Sequence, residues 1–294
     1  MDMSRPRGTG GLRRALRRCG EEIPVRAIPT IPKMVRLYTM KAYMRSRPTI
    51  ATCCLATIGL LAQTPPKPVY VQDGNVNETL DSIFIPPMPD APFTCMLDTE
   101  WVRTMADGGT LTTVNRRRIA RQANGRLYQE RWTLVPKHGS RQSQLSHIQI
   151  ADPVNHTLYT CAMGINVCRL TAYGGNTTTV YQPVNQPTGL LPGGQGSVLN
   201  EPLGKHVMEH ADVVGTRITR QINAWVAGND RAFAVVREFW FAPALGINVS
   251  SRISDPRSGS QSFTVTDLTR GEPDDQLFEL PKGYTVRDDR LPIR

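Results

Sequence analysis

From Phe93 onward the chain is written in short runs rich in β-branched and aromatic residues, and Asn, Gly, Pro or Asp interrupts them at short intervals. Such runs suit a pleated, half-buried surface, and the interrupting residues are those that reverse a backbone. The clearest case is "TLTTVNRRRIARQ", then "NGR", then "LYQERWTLVP", which is two strands around an Asn-Gly turn, the strongest short hairpin signal. "SQLSHIQIAD", "HTLYTCAMGINVCRLTAY" and "NTTTVYQP" continue the pattern. "VVGTRITRQINAWV", "FAVVREFWFAP", "GINVSSRISD" and "QSFTVTDLTR" supply four more strands, the last two flanking a turn at "PRSGS". Residues 182–202, rich in Gly and Pro, read as one long loop, of a length that tends to be functional or mobile. A single short helical turn is expected near Asp274 or Asp275, and no repeat or long amphipathic helix is visible. The fold predicted is mostly β: one antiparallel domain over 93–294, within the size of a single sandwich or barrel.

The region before Phe93 is organised differently. Residues 1–62 carry 12 Lys+Arg against 3 Asp+Glu, whereas the rest carries 23 against 22, so the net charge of +10 belongs almost wholly to the leader. A nucleic-acid partner would need a basic face on the folded body, and none is expected for the mature domain. "TIATCCLATIGLLA" (49–62) is an uncharged run, too short for a spanning helix and of the right length for the apolar part of a secretory signal. Lys41, Arg45 and Arg47 precede it, and Ala62 is the expected cleavage position. Residues 40–62 are therefore read as a signal peptide with translation starting at Met40, and the product as periplasmic or secreted, with no transmembrane helix in the mature protein. Residues 1–39 are read as a disordered or misannotated basic extension, the alternative being an arm for anionic partners. A lipoprotein signal through Cys53 or Cys54 is a further alternative. Residues 63–92, proline-rich at both ends, read as a linker or an arm laid over the surface rather than a core element.

Export gives the cysteines a meaning. Cys161 and Cys168 flank "AMGINV", and a disulfide between them would staple a hairpin in an oxidising compartment; two free buried thiols are the alternative. Cys95 is left without a role.

Three patterns could carry chemistry. "HVMEH" (206–210) matches H-x-x-E-H, in which His206 and His210 would hold zinc with Glu209 as base on a helix. That alternative, a zinc-dependent hydrolase, requires a helix over 201–214 and a third ligand. Gly204 and the strand-like "DVVGTRITRQI" that follows speak for a strand instead, with His206, Met208 and His210 on one side. In "NRRRIAR", alternation places Arg116 and Arg118 on one face and Arg117 with Ile119 on the other. The outer pair reads as solvated and balanced by Asp98, Glu100 and Glu130, or as a contact for an anionic group. Trp132, Trp225, Phe239 and Trp240 lie in or beside strands and are candidates to line an apolar groove, with plain core as the other reading. There is no G-x-S-x-G elbow, P-loop or dinucleotide fingerprint, and no cofactor is expected.

The stretches "NRRRIARQANGRLYQERW", "REFWFAPALGINVSSRISDPRSGSQSFTVTDL" and "EPDDQLFELPKGYTV" resemble a family of exported β proteins of acidobacterial type, over about 92–287. More distantly, the "WFAPALG" strand, "FTVTDL" and the terminal "LFELPKGY" are similar to the periplasmic lipoprotein carriers of the LolA/RseB-like fold. That likeness implies one strongly curved antiparallel sheet, a half-barrel with few short helices that shelters acyl chains. The expectation is an exported, non-enzymatic protein that binds an apolar ligand (a lipid or lipoprotein) or an envelope protein partner. A structural envelope protein without ligand is the further alternative.

Overall fold

The computed structural model describes residues 69–73 and 83–290. The basic extension, the signal segment with Ala62, the cysteines 19, 53 and 54, and part of the proline-rich arm lie outside the described residues. In chain order the strands are β1 (Val69–Val71), β2 (Phe93–Thr104), β3 (Thr110–Arg121), β4 (Leu127–Trp132), β5 (Val135–Pro136) and β6 (Leu145–Asp152). There follow β7 (Thr157–Ala162), β8 (Val167–Ala172), β9 (Tyr181–Pro183), β10 (Gly189–Leu190) and β11 (Gly196–Met208). The last are β12 (Ala211–Ile222), β13 (Phe233–Ala242), β14 (Ile247–Asp255), β15 (Gly259–Arg270) and β16 (Thr285–Asp288).

Fourteen of them form one sheet in the order β10-β11-β12-β13-β14-β15-β2-β3-β4-β6-β7-β8-β16, with β5 beside β3. Every pair is antiparallel except β16, which joins β8 in parallel. The sheet is strongly curved and is not closed into a barrel. β1 and β9 form a separate parallel ribbon. Among the described residues no helix is long and apolar enough to cross a membrane.

β2 shows why the chain folds this way. Phe93, Cys95, Leu97 and Thr99 are buried and the residues between them are half-buried, as a period of two on a pleated strand demands. Register carries this inner face to Arg121, Ile119, Arg117 and Asn115 on β3 and to Val265 and Phe263 on β15. Phe93, Leu97, Ile119, Ile247, Phe263 and Val265 share the main apolar cluster. Each such side chain contributes roughly 1.5–3 kcal/mol by leaving water. On the other face of β4, β6 and β7, the C-terminal segment packs Leu277, Phe278 and Leu280 against Tyr128, Ile150 and Tyr159. This segment holds the expected helical turn, a 3-10 turn over Asp275–Phe278 begun by Asp274, whose side chain accepts from the Gln276 N–H.

Two expectations need correction. The 63–92 arm is not confined to the surface: Val71, Ile83 and Ile85 are buried, and the two isoleucines sit in the main cluster while Phe84 between them is 42% exposed. Alternation in "IFI" holds here despite the prolines that follow. Residues 182–202 are not one loop either. They hold the end of β9, β10, a 3-10 turn over Pro192–Gly194 and the start of β11, because Val184 and Val198 are buried together with Phe239.

The "PRSGS" turn closes the β14–β15 hairpin, with Gly259 opposite Asp255 and at φ 93°. A Cβ there would meet the Val102 carbonyl oxygen well inside van der Waals contact. Gly259→Ala is therefore expected to cost about 2 kcal/mol or more, seen as a lower denaturant midpoint; a change below about 0.5 kcal/mol would contradict this placement.

Candidate functional site

The inner face of the sheet carries both its apolar core and its polar anomalies. Arg117 and Arg121 are 1% and 0% exposed. Arg121 donates from Nε and Nη2 to the Ala91 carbonyl (3.0 and 2.8 Å), from Nη1 to Pro86 (2.9 Å) and from Nη2 to Leu245 (2.8 Å). Its guanidinium stacks 4.9 Å from the Phe93 ring centroid. Burial lowers its pKa to about 10. This side chain ties the arm to the sheet. Arg117 donates from Nη1 to the Glu130 carbonyl at 3.1 Å, and its buried Nη2 has no partner among the described residues. Burial first, and the neighbouring Arg131 cation second, lower its pKa to about 9. Cys95 lies beside both arginines, and burial pushes its thiol up to about 12, so it stays protonated and inert.

The arm brings one carboxylate inside. Asp73 Oδ1 accepts from the Phe84 N–H (3.1 Å) and Oδ2 from Asn248 Nδ2 (3.2 Å). Burial raises its pKa to about 6, against the lowering by Ser251, by these bonds and by Arg237.

Between the arm and strands β4, β6 and β7 lies a cleft of about 400 Å³. Its walls are Ile83, Phe84, Ile85, Leu127, Leu158 and Tyr173, and Gln129, Arg131 and Gln149 add polar groups on the strand side. Register explains this floor: Gln129 faces Gln149, and Leu127 faces Ala151, which faces Leu158. Arg131 Nε donates to Gln149 Oε1 at 3.0 Å, and Gln149 Nε2 to Thr160 Oγ1 at 3.4 Å. The arrangement offers an apolar body a sheltered wall and a fixed line of hydrogen-bonding groups; it presents no nucleophile beside a base. A second cleft, of about 640 Å³, opens over β12, β13 and β14, and Gln72 of the arm lines both.

The residues singled out from the sequence do not converge on either cleft. Trp132 shares the outer side of β4 with Glu130, to whose Oε2 its Nε1 donates at 2.7 Å. Trp225 lies beyond the end of β12 and is 77% exposed. Phe239 is buried with Val184, Val198 and Ile218, whereas Trp240 points to the opposite side and donates to Glu238 Oε1 at 3.2 Å. Arg116 is exposed and paired with Asp98 and Asp267. Arg118 is exposed too, and its backbone N–H donates to Glu130 Oε2. The residues that do line the first cleft were legible only as alternation in "LYQER", which puts Leu127, Gln129 and Arg131 on one side.

"HVMEH" is a hairpin tip. β11 runs through His206 to Met208, Glu209 and His210 form a two-residue turn at φ 47° and 58°, and Met208 pairs with Ala211. Positive φ at both positions is the geometry of a tight hairpin. The strand reading is corrected at its end, because His210 sits in the turn. The helix that the zinc alternative requires over 201–214 is replaced by two strands, and among the described residues no three metal-ligating side chains gather. His206 instead stands against the Trp240 ring at 6.0 Å, and Glu209 accepts from the Leu268 N–H. Cys161 and Cys168 are cross-strand partners on β7 and β8 and form a disulfide.

No family model and no curated protein matches the sequence. Solved structures similar to it include a chain of the MucA/MucB complex of Pseudomonas aeruginosa, at 13% identity and TM-score 0.33, over 69% of this chain and 62% of that one. LprF from Mycobacterium bovis is similar at 14% identity and TM-score 0.28, over 66% and 90%. A LolA superfamily protein from Nitrosomonas europaea is similar at 8% and 0.23, over 65% and 91%. This chain thus spans about 62% of the length of the first of these. What the clefts can bind rests on this chain's own residues.

Proposed function

We propose that this is an exported, non-enzymatic binding protein whose curved sheet shelters an apolar ligand of the lipid or lipoprotein class. The observation that carries the reading is the first cleft, whose walls Leu127, Leu158, Tyr173 and Ile85 leave apolar surface facing a space of about 400 Å³. That lies within the usual range of small-molecule sites, which combine apolar walls with a few placed polar groups. The Cys161–Cys168 disulfide supports an oxidising compartment, as does the signal read at 40–62. An envelope protein offering an apolar segment would use the same walls.

An apolar fluorescent probe such as N-phenyl-1-naphthylamine tests the site. Leu158→Arg places a charge against these walls and is expected to weaken probe binding at least about tenfold, since burying an unpaired charge costs well over 1.4 kcal/mol. Leu199→Arg, at an exposed position of β11, should leave it unchanged. Equal binding by the wild type and Leu158→Arg, both folded, would remove the cleft from the proposal.

A further inference from the structure

We infer that the second cleft is an anion-binding site, for a phosphate or carboxylate group borne on a small organic body. Register places Ile218 opposite Arg237 and Arg220 opposite Val235. Arg220 and Arg237 therefore stand diagonally on the same face of adjacent strands, with backbones roughly 7–8 Å apart, and both line the cleft. Long side chains so placed reach a single anion from two sides. Two like charges on one face of adjacent strands favour a counter-charge between them.

Among the described residues the protein supplies that counter-charge only in part, since Asp255 and Asp73 both lie within electrostatic reach of Arg237 and neither bonds to it. The cleft is lined by three arginines and one carboxylate. Asp255 is engaged by Arg257, at 2.9 Å from Nε to Oδ1 and 2.6 Å from Nη2 to Oδ2. The Arg220 and Arg237 side chains make no hydrogen bond and no ion pair among the described residues. Elsewhere Arg116, Arg126, Arg169, Arg217 and Arg287 each pair with a carboxylate. Asp73 lies deeper, near enough to be influenced by Arg237 and bonded instead to Phe84 and Asn248.

The rest of the lining sets the ligand class. Planar guanidinium forks match phosphate and carboxylate oxygens, and paired contacts of this kind are among the strongest hydrogen bonds. Gln72, Gln186 and Gln195 add neutral polar groups, while Ile218, Ile222, Val226 and Val235 provide apolar wall. A space of about 640 Å³ far exceeds one bare anion, which calls for an organic body beside the charged group. This site does not depend on the first cleft holding a ligand.

Calorimetric titration with octyl phosphate, octyl glucoside and inorganic phosphate, each below micelle formation, is the test. Octyl phosphate is expected to bind once per chain and at least tenfold more tightly than octyl glucoside. The Arg220→Gln/Arg237→Gln double variant, and Arg220→Gln alone as the milder change, should lose affinity, the double at least tenfold. Arg252→Gln, an exposed arginine outside the cleft, should match the wild type. Inorganic phosphate binding tenfold more weakly than octyl phosphate supports an organic phosphate. Inorganic phosphate binding as well as octyl phosphate keeps the anion site but overturns the organic body. Octyl phosphate binding no better than octyl glucoside, or equally well to a folded double variant, overturns the inference.

Discussion

Arg121→Met is expected to destabilise the protein by about 4 kcal/mol, the largest single loss at any buried polar position of the fold. The guanidinium holds the Pro86, Ala91 and Leu245 carbonyls at 2.8–3.0 Å and is fully buried. Methionine fills much of the volume and removes every donor. The Pro86 carbonyl keeps the Met88 N–H at 2.8 Å, so Ala91 and Leu245 are the carbonyls left orphaned, at roughly 1–3 kcal/mol each, offset in part because the buried cation no longer has to be desolvated. Two of the three carbonyls belong to the arm, so the arm should loosen first, and proteolysis near residues 86–91 should accelerate. Arg121→Lys keeps the charge but not the fork, and should fall between the two. Urea unfolding of the three proteins decides this. A loss below about 1 kcal/mol for Arg121→Met would show that these bonds exchange freely with water.

Asp73→Asn has the second large effect, and its sign depends on pH. The folded-state pKa of Asp73 is raised by burial from 3.8 to about 6. Its contribution to stability is therefore fully present below about pH 4, where the group is protonated folded or unfolded, and is lost as pH rises through 6. A displacement of roughly two pKa units corresponds to about 3 kcal/mol. Protonated, Asp73 becomes a donor, and Asn248 Oδ1 beside it is a buried acceptor without a partner among the described residues. Asp255 acts in the opposite sense, because the Arg257 side chain holds its pKa low; that contribution is lost only on acidification below the range where Asp73 titrates. Asp73→Asn should thus exceed the wild type by about 2–3 kcal/mol at pH 8 and by less than about 1 kcal/mol at pH 4.5. Denaturation midpoints of both proteins at the two pH values check this, and a difference that does not change with pH would contradict a buried, titrating Asp73.

Both predictions concern the arm, the part least legible in the sequence. Strand content was legible because alternation is local: "FTCMLDT" buries every second residue, and "RRRIAR" splits as its spacing demands, Arg116 and Arg118 outward and Arg117 inward. The Cys161–Cys168 hairpin and the turn at Asp274 were legible for the same reason. Ile83 and Ile85 were hidden because the prolines around them announce a linker, while the space they fill belongs to strands far along the chain. The candidate aromatics failed for a related reason. Alternation tells which residues share a side within a strand, so Phe239 and Trp240 were correctly opposed, but it does not say which side curves inward or what lies across the sheet. That depends on pairings such as Gln129 with Gln149 and Arg237 with Ile218, which are set by the whole fold. "HVMEH" misled as a motif because its turn uses Glu209 and His210 at positive φ, where glycine or asparagine would have announced a hairpin.

The central claim is that the inner face of this sheet holds an apolar ligand in the cleft of Leu127, Leu158 and Tyr173. The most direct measurement is native mass spectrometry of the full chain, exported to a periplasm and purified without detergent, followed by solvent extraction of what it carries. The prediction is a disulfide-closed chain with a lipid-sized adduct that is released by solvent and missing from Leu158→Arg. A bare wild-type chain that also fails to take up added lipid would contradict the claim and leave a structural envelope protein in its place.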